Sequence, residues 1–368
     1  MAESRKERNS SIELMKILAL FLVVLCHSLP LYKLGGATEL AGYIDLRHSV
    51  PGLNGFMLLL FSHLGQVGNA LFIVSSAYFL ADSNCVRKGK IAQFILDTWV
   101  VSVVYLVLFM IVRGHIPLTY MITSLFPVTF NFYWFITCYI LLYAIHPWLN
   151  LIIRTLDKKQ LFTANICLLT LYCGVSFVLN GKYYYTQLVG FIVYYFLVAY
   201  VKLYLPRFCK SRVANTRLLA VSLCVFVGLI LAVNFAGLRF SALSGGVGIL
   251  ETFINPFILG IAVAAFNLCN LRCWRSRAIN RVSSTSMLVF VIINNQLVCS
   301  FAKPFLFERV YNQLAYRHIP LVCLGIALAA LAASVLLALL LYGDCSKACY
   351  QARGMDRREA RRDLRKVV

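Results

Sequence analysis

Two residues of one apolar stretch have the types and the spacing for chemistry. From Glu13 to Pro30 the chain reads ELMKILALFLVVLCHSLP, with a cation near its start and an imidazole near its end. Lys16 and His27 are eleven positions apart, so on a helix they return to within about 20° of one face and lie roughly 16 Å apart along it. That is about half the thickness of a bilayer's hydrocarbon core. Ionisable groups inside a membrane span are expensive and face a protein-lined or wet interior. Neutral imidazole, with an ordinary pKa of about 6.5, is a natural base for removing a hydroxyl proton. Each residue also has a structural reading. His27 is then a packing residue bonded to a neighbouring helix, and Lys16 an anchor of the first span, paired with Glu13 one turn earlier.

The elements that must position these groups follow from composition. The chain has 368 residues, of which 61% are hydrophobic and 13% charged. That balance describes an all-α polytopic membrane protein. A net charge of +21 raises the question of nucleic acid. The cations sit in short clusters between apolar runs rather than on one soluble face, so no nucleic-acid partner is expected. The thirteen cysteines lie mostly inside apolar runs and read as small buried residues, with no metal site. The first span lacks a small-residue cleavage site and reads as a signal anchor.

Ten spans are predicted, at 12–32, 53–80, 91–112, 132–152, 161–179, 188–205, 218–236, 253–271, 286–303 and 319–342. The second is longer than a bilayer needs and is expected to tilt, to break or to begin with an interfacial piece, with Gly65 and Gly68 where a break would fall. Alternate connections and the two ends hold 27 of the 35 basic residues, which puts both termini in the cytoplasm by the positive-inside rule. The expected division is an integral domain over 1–342 and a basic cytoplasmic tail over 343–368. The tail reads either as a helix on anionic lipid or as a solvated segment.

Other polar residues carry weaker expectations. Asp97 lies inside the third span, as a functional carboxylate or as the partner of a loop cation. His63, Gln66 and Asn69 bring polar groups into the second span, where helix-to-helix hydrogen bonds explain them. Trp134 is an interfacial anchor or lines a substrate. Asn255 before Pro256 marks a break in the eighth span. His115, His146 and His318 fall near span ends and receive no role.

Several stretches resemble the membrane-bound acyltransferase-3 family of ten-span O-acyltransferases. The first is the basic residue, ten apolar positions and histidine of Lys16–His27, with Glu13 shortly before. The family usually has arginine where this chain has Lys16. The second is GNALFIVSSAYFL (68–80), similar to "LFFxISGYFL" through Ser75, Tyr78 and Phe79, followed by the basic loop of Arg87, Lys88 and Lys90. The third is FYWFITCYILLYAIHPWLN (132–150), similar to "WFLxxYxxLYxxxPxLN" through Trp134, Phe135, Tyr139, Leu142, Tyr143, Pro147, Leu149 and Asn150. The fourth, SMLVFVIINN (286–295), resembles "TFGVYLIHxN", with Ile293 at the family's histidine position.

The resemblance implies a membrane O-acyltransferase, an O-acetyltransferase first of all. It would take the acyl group from cytosolic acyl-CoA, a substrate and not a bound cofactor, to a hydroxyl of an extracytoplasmic or lipid-linked glycan. The implied site has His27 as catalytic base, Lys16, Arg87, Lys88 and Lys90 for the donor's phosphates, and Glu13, Ser75, Tyr78, Asp97 and Trp134 in support. The rival is a transporter or flippase of a lipid-linked or small polar substrate. Paired halves would favour it, and no internal repeat is evident.

Overall fold

The computed structural model describes residues 8–29, 46, 48–175, 186–252, 255–302, 309–313 and 316–364. Most of the connection 33–52 and the cations Arg5, Lys6, Lys33, Arg47, Lys182, Lys303, Arg365 and Lys366 lie outside them. Every regular element among the described residues is a helix. In chain order the helices are α1 (Ser10–His27), α2 (Gly52–Leu80), α3 (Lys88–Arg113), α4 (Leu118–Leu125), α5 (Trp134–Thr155) and α6 (Lys158–Leu168). They continue as α7 (Gln187–Tyr204), α8 (Pro206–Lys210), α9 (Arg212–Arg239), α10 (Pro256–Asn270), α11 (Arg277–Ser284), α12 (Ser286–Ile293) and α13 (Ile319–Leu364).

Local chemistry sets many of the helix starts. Asn9 caps α1 by accepting from the Ser11 N–H. Asp157 and Gln160 form a reciprocal capping box on α6, and Ser211 and Ser276 cap α9 and α11. Each satisfies a backbone donor that the first turn would leave unpaired. Asn255 accepts from the Phe257 N–H and Pro256 opens α10, where a missing N–H costs nothing.

Among the described residues, seven helices are long and apolar enough to cross a membrane: α1, α2, α3, α5, α7, α9 and the Ile319–Leu341 part of α13. An eighth is the pair α11 and α12, bent by 45° at Thr285. The membrane-crossing helices among the described residues thus number seven or eight, against an expectation of ten for the whole chain. The expected span 253–271 is the 15-residue α10, which at 1.5 Å per residue reaches only about 22 Å. The expected span 161–179 is α6 with a π-helical continuation, Leu169–Val175, where the described residues end. Helices α3, α9 and α13 are covered by protein over only a small share of their surface, as lipid-facing helices are. The buried centre is built on α1, α2, α5, α7, α10 and α12.

The tightest packing joins α1 to α2, antiparallel. A Cβ on Gly65 would lie 2.6 Å from Cys26 Cβ, and one on Gly68 would run into the backbone carbonyl of Ala19. The two glycines let the backbones approach more closely than any side chain permits. Cys26 Sγ donates across the same seam to the Ser62 carbonyl at 3.2 Å. Of the three alternatives for this long span, a break at Gly65 and Gly68 is not the one found: α2 is continuous from Gly52 to Leu80. These glycines serve contact instead of bending.

The close seam has a measurable consequence. Gly68→Ala is expected to cost on the order of 1–3 kcal/mol through overpacking, read as a lower melting temperature of the purified protein in detergent. Gly65→Ala should be destabilising alone and partly restored by Cys26→Gly, which moves the missing Cβ to the other helix. Unchanged melting in Gly68→Ala would remove the seam from the account of stability.

Candidate functional site

The first turns of α1 and α3 bring cations together at one end of the bundle. Lys16 is half-buried on α1, with Nζ 3.4 Å from Glu13 Oε1 and 6.0 Å from the Phe79 ring centre. Glu13 is buried, and its other carboxylate oxygen accepts a short hydrogen bond from Ser283 Oγ on α11. One carboxylate thus orients the lysine and ties α1 to α11. Lys90 places Nζ 4.8 Å from the Tyr143 ring centre and 5.4 Å from that of Phe94. The charges of Lys16, Arg87 and Arg8 all act on Lys90. Four cations from two separate stretches of chain therefore share one mouth, against one buried carboxylate. Such a field attracts a polyanion.

Helix α5 holds the linker that carries Arg87 and leads into α3, where Lys90 lies. Asn150, buried, donates from Nδ2 to the carbonyls of Leu80 (3.0 Å) and Ser83 (2.7 Å), and its Oδ1 accepts from Tyr195 Oη at 2.6 Å. It thereby caps the end of α2. Two turns earlier on the same face of α5, Tyr143 Oη accepts from the backbone N–H of Arg87 at 3.3 Å. Lys202 Nζ closes the α2 terminus from the other side, bonding the Tyr78 carbonyl at 2.6 Å and Asp82 at 2.7 Å. A cation there meets the exposed carbonyls at the negative end of the helix dipole.

Pro147 stands inside α5 and removes the N–H that would bond the carbonyl of Tyr143. His146 Nδ1 donates to that same carbonyl at 2.7 Å. The histidine replaces the lost hydrogen bond, and α5 continues through the proline. His146 is thus fully buried within the helix, not near a span end as expected.

At the other end of α1 stands His27, half-buried on its last residue. Both of its neighbours are pinned. Cys26 is held by the α2 seam, and the Ser28 carbonyl accepts from Tyr311 Oη at 2.8 Å. Nearby elements are joined by Asn295, fully buried, whose Nδ2 donates to Tyr133 Oη at 2.6 Å just before α5 begins.

The remaining sequence candidates separate. Tyr78 lies next to the mouth but turns to α7 and α10: Lys202 sits 4.1 Å over its ring, and its Oη accepts from Asn270 Nδ2 at 3.3 Å. Lys88 is exposed on the first turn of α3. Asp97 is half-buried on α3 and bonds Gln93, one turn back on its own helix, rather than a loop cation. Ser75 is buried on α2, its Oγ without a partner among the described residues. Trp134 begins α5, far from the cations, with its ring against Phe135. His63 bonds helix to neighbour as expected, through Nε2 to the Val247 carbonyl at 3.3 Å. Arg8, Lys202 and Tyr311 were not singled out from sequence. Nothing in their local patterns marks them, because each acts on a residue distant in the chain.

Removing the α5 clamp should loosen the linker. Asn150→Ala strands two carbonyls and is expected to cost about 1–3 kcal/mol, whereas Tyr143→Phe, losing one weaker bond, costs about 0.5–1.5 kcal/mol. Backbone hydrogen exchange across residues 81–87 should accelerate in Asn150→Ala. Wild-type exchange there would mean that the linker is held by other contacts.

Comparison with known proteins gives one match. No curated protein and no solved structure matches the chain. Over residues 9–343 the chain matches the family profile described as "Acyltransferase domain". The matched region takes in α1 with Lys16 and His27, the cationic linker and the Asn150 clamp. The chain is a multi-pass membrane acyltransferase and belongs to the acyltransferase-3 family.

Proposed function

We propose that this acyltransferase moves an acyl group, an acetyl group first of all, from cytosolic acyl-CoA to a hydroxyl of an extracytoplasmic or lipid-linked glycan. The observation that carries this reading is the meeting of Arg8, Lys16, Arg87 and Lys90 at one end of α1, with His27 at the other. The distribution of basic residues along the chain supports a cytoplasmic position for the cationic end and for both termini.

In this reading the donor's phosphates rest on the cationic mouth, Lys88 adding charge at its rim, and the thioester arm runs inward along α1. Lysine meets phosphate as a point charge, without arginine's two-pronged fork. Glu13 holds Lys16 at the mouth. His27 takes the proton of the acceptor hydroxyl as its oxygen attacks the thioester carbonyl. The tetrahedral intermediate then collapses, the carbon–sulfur bond breaks, and the departing thiolate recovers the proton from the imidazolium. The product is an O-acyl ester and free CoA. The pinned neighbours of His27 keep the base in place while proton and acyl group move.

Two measurements test the assignment on purified protein in lipid nanodiscs. His27→Ala at equal expression should lower acetyl-CoA turnover by a factor on the order of 100 or more, the scale of general-base catalysis. Retained turnover would sink the role. Lys16→Arg should keep activity, while Lys16→Ala and Lys16→Glu raise the donor KM, the latter more. The same KM in all three would reduce Lys16 to an anchor. Movement of a glycan across the bilayer without donor consumption would establish the transporter reading instead.

A further inference from the structure

One buried group on α2 is left unused by the reaction as described. Asn69 is 7% exposed; its Nδ2 donates to Gln66 Oε1 at 3.3 Å, while its Oδ1 has no partner among the described residues. A buried acceptor left unbonded costs about 1–3 kcal/mol, a penalty that a leucine of similar size would not incur. Such a group is explained by a ligand that brings a donor to it.

Its place in the fold names the ligand's path. Asn69 follows Gly68, which lies against Ala19 and Val23 of α1. It therefore sits at a depth between Lys16 and His27, roughly 6–12 Å short of His27 along α1. Residues 69, 72 and 76 share one face of α2. Phe72 meets the Phe135 ring at 6.2 Å, and Ser76 hydrogen-bonds Tyr139, both on α5. Asn69 thus faces the interior between α1 and α5. Phe135 in turn packs on Phe191 and Phe290, 5.2 and 5.1 Å away, so this side of α2 looks toward a cluster of aromatic rings.

We infer that Asn69 binds the thioester arm of the donor, its Oδ1 accepting the N–H of the arm's amide nearest the sulfur. The inference rests on the donor reading above. The arm is thin and uncharged, as an interior rich in aromatic rings requires, and carries amide N–H groups along its length. From the nitrogen of that amide the reacting carbonyl carbon is four bonds further on. Fixing the nitrogen at Asn69 therefore limits how far the carbonyl advances toward His27. Asn69 is a donor-binding residue that sets the depth of the thioester.

The test compares two donors within each protein, so that losses of folded protein cancel. One is acetyl-CoA; the other is acetyl-CoA with that amide N–H replaced by an ester oxygen. Wild type should prefer the amide by about tenfold in kcat/KM, as one buried hydrogen bond of about 1.4 kcal/mol gives. Asn69→Ala, and Asn69→Leu with its preserved volume, should bring the ratio close to one. Lys16→Ala should raise KM for both donors and leave the ratio as in wild type. An undiminished preference in both Asn69 variants, or no preference in wild type, overturns the inference while the donor reading stands. A wild type that consumes neither donor overturns the donor reading itself.

Discussion

The contact of α1 with α2 at Gly65 and Gly68 is the constraint on which the other arrangements rest. A Cβ at either glycine would meet Cys26 or the backbone of Ala19, so the two helices pack backbone to backbone. In a bilayer, where lipid is as apolar as leucine, helices gain little by merely burying apolar surface, and close packing of small residues takes its place. This seam determines the depth of everything that α2 carries relative to α1. It sets Asn69 between Lys16 and His27, and it holds Cys26 so that the adjacent imidazole has a rigid base.

A second helix completes the frame. On α5, Tyr143 and Asn150 grip the linker between α2 and α3 at two points, and Lys202 grips the α2 terminus from α7. The linker would otherwise be a short polar loop with cations free to disperse. Held in this way, Arg87 and Lys90 stay near Lys16 and Arg8 despite mutual repulsion. Glu13 offsets part of that repulsion, but a surplus of positive charge remains. Surplus charge is what an anionic ligand would relieve.

Much of this was legible along the chain, unevenly and for physical reasons. Where the residues are described, each of the ten predicted spans contains helix, because apolar runs must satisfy their backbone internally in a membrane. Crossing a membrane needs length as well as composition: α10 is apolar but only 15 residues long. Glycine is ambiguous along the chain as well. Gly65 and Gly68 are weak points only if nothing stands opposite them, and the sequence does not say that Ala19 and Cys26 do. Pro147 posed the reverse problem, since its missing hydrogen bond is replaced by His146, a residue with no sequence signal of that duty. Asp97 reads along the chain as a functional carboxylate or as the partner of a loop cation; it bonds Gln93 on its own helix, and the cations gather around Lys90, two turns nearer the start of α3.

Composition and spacing determined the class of protein, the membrane setting, the order of the helices and the common face of Lys16 and His27. These depend on local periodicity and on charge clusters that survive without knowledge of neighbours. Similarity of short motifs added the acyltransferase family, which the match over 9–343 upholds. Only the tertiary structure decided which cations meet, what holds Glu13, how α2 is capped and which polar atom is left buried without a partner. Each of those depends on residues more than fifty positions apart, joined by hydrogen bonds and close packing that no local pattern encodes.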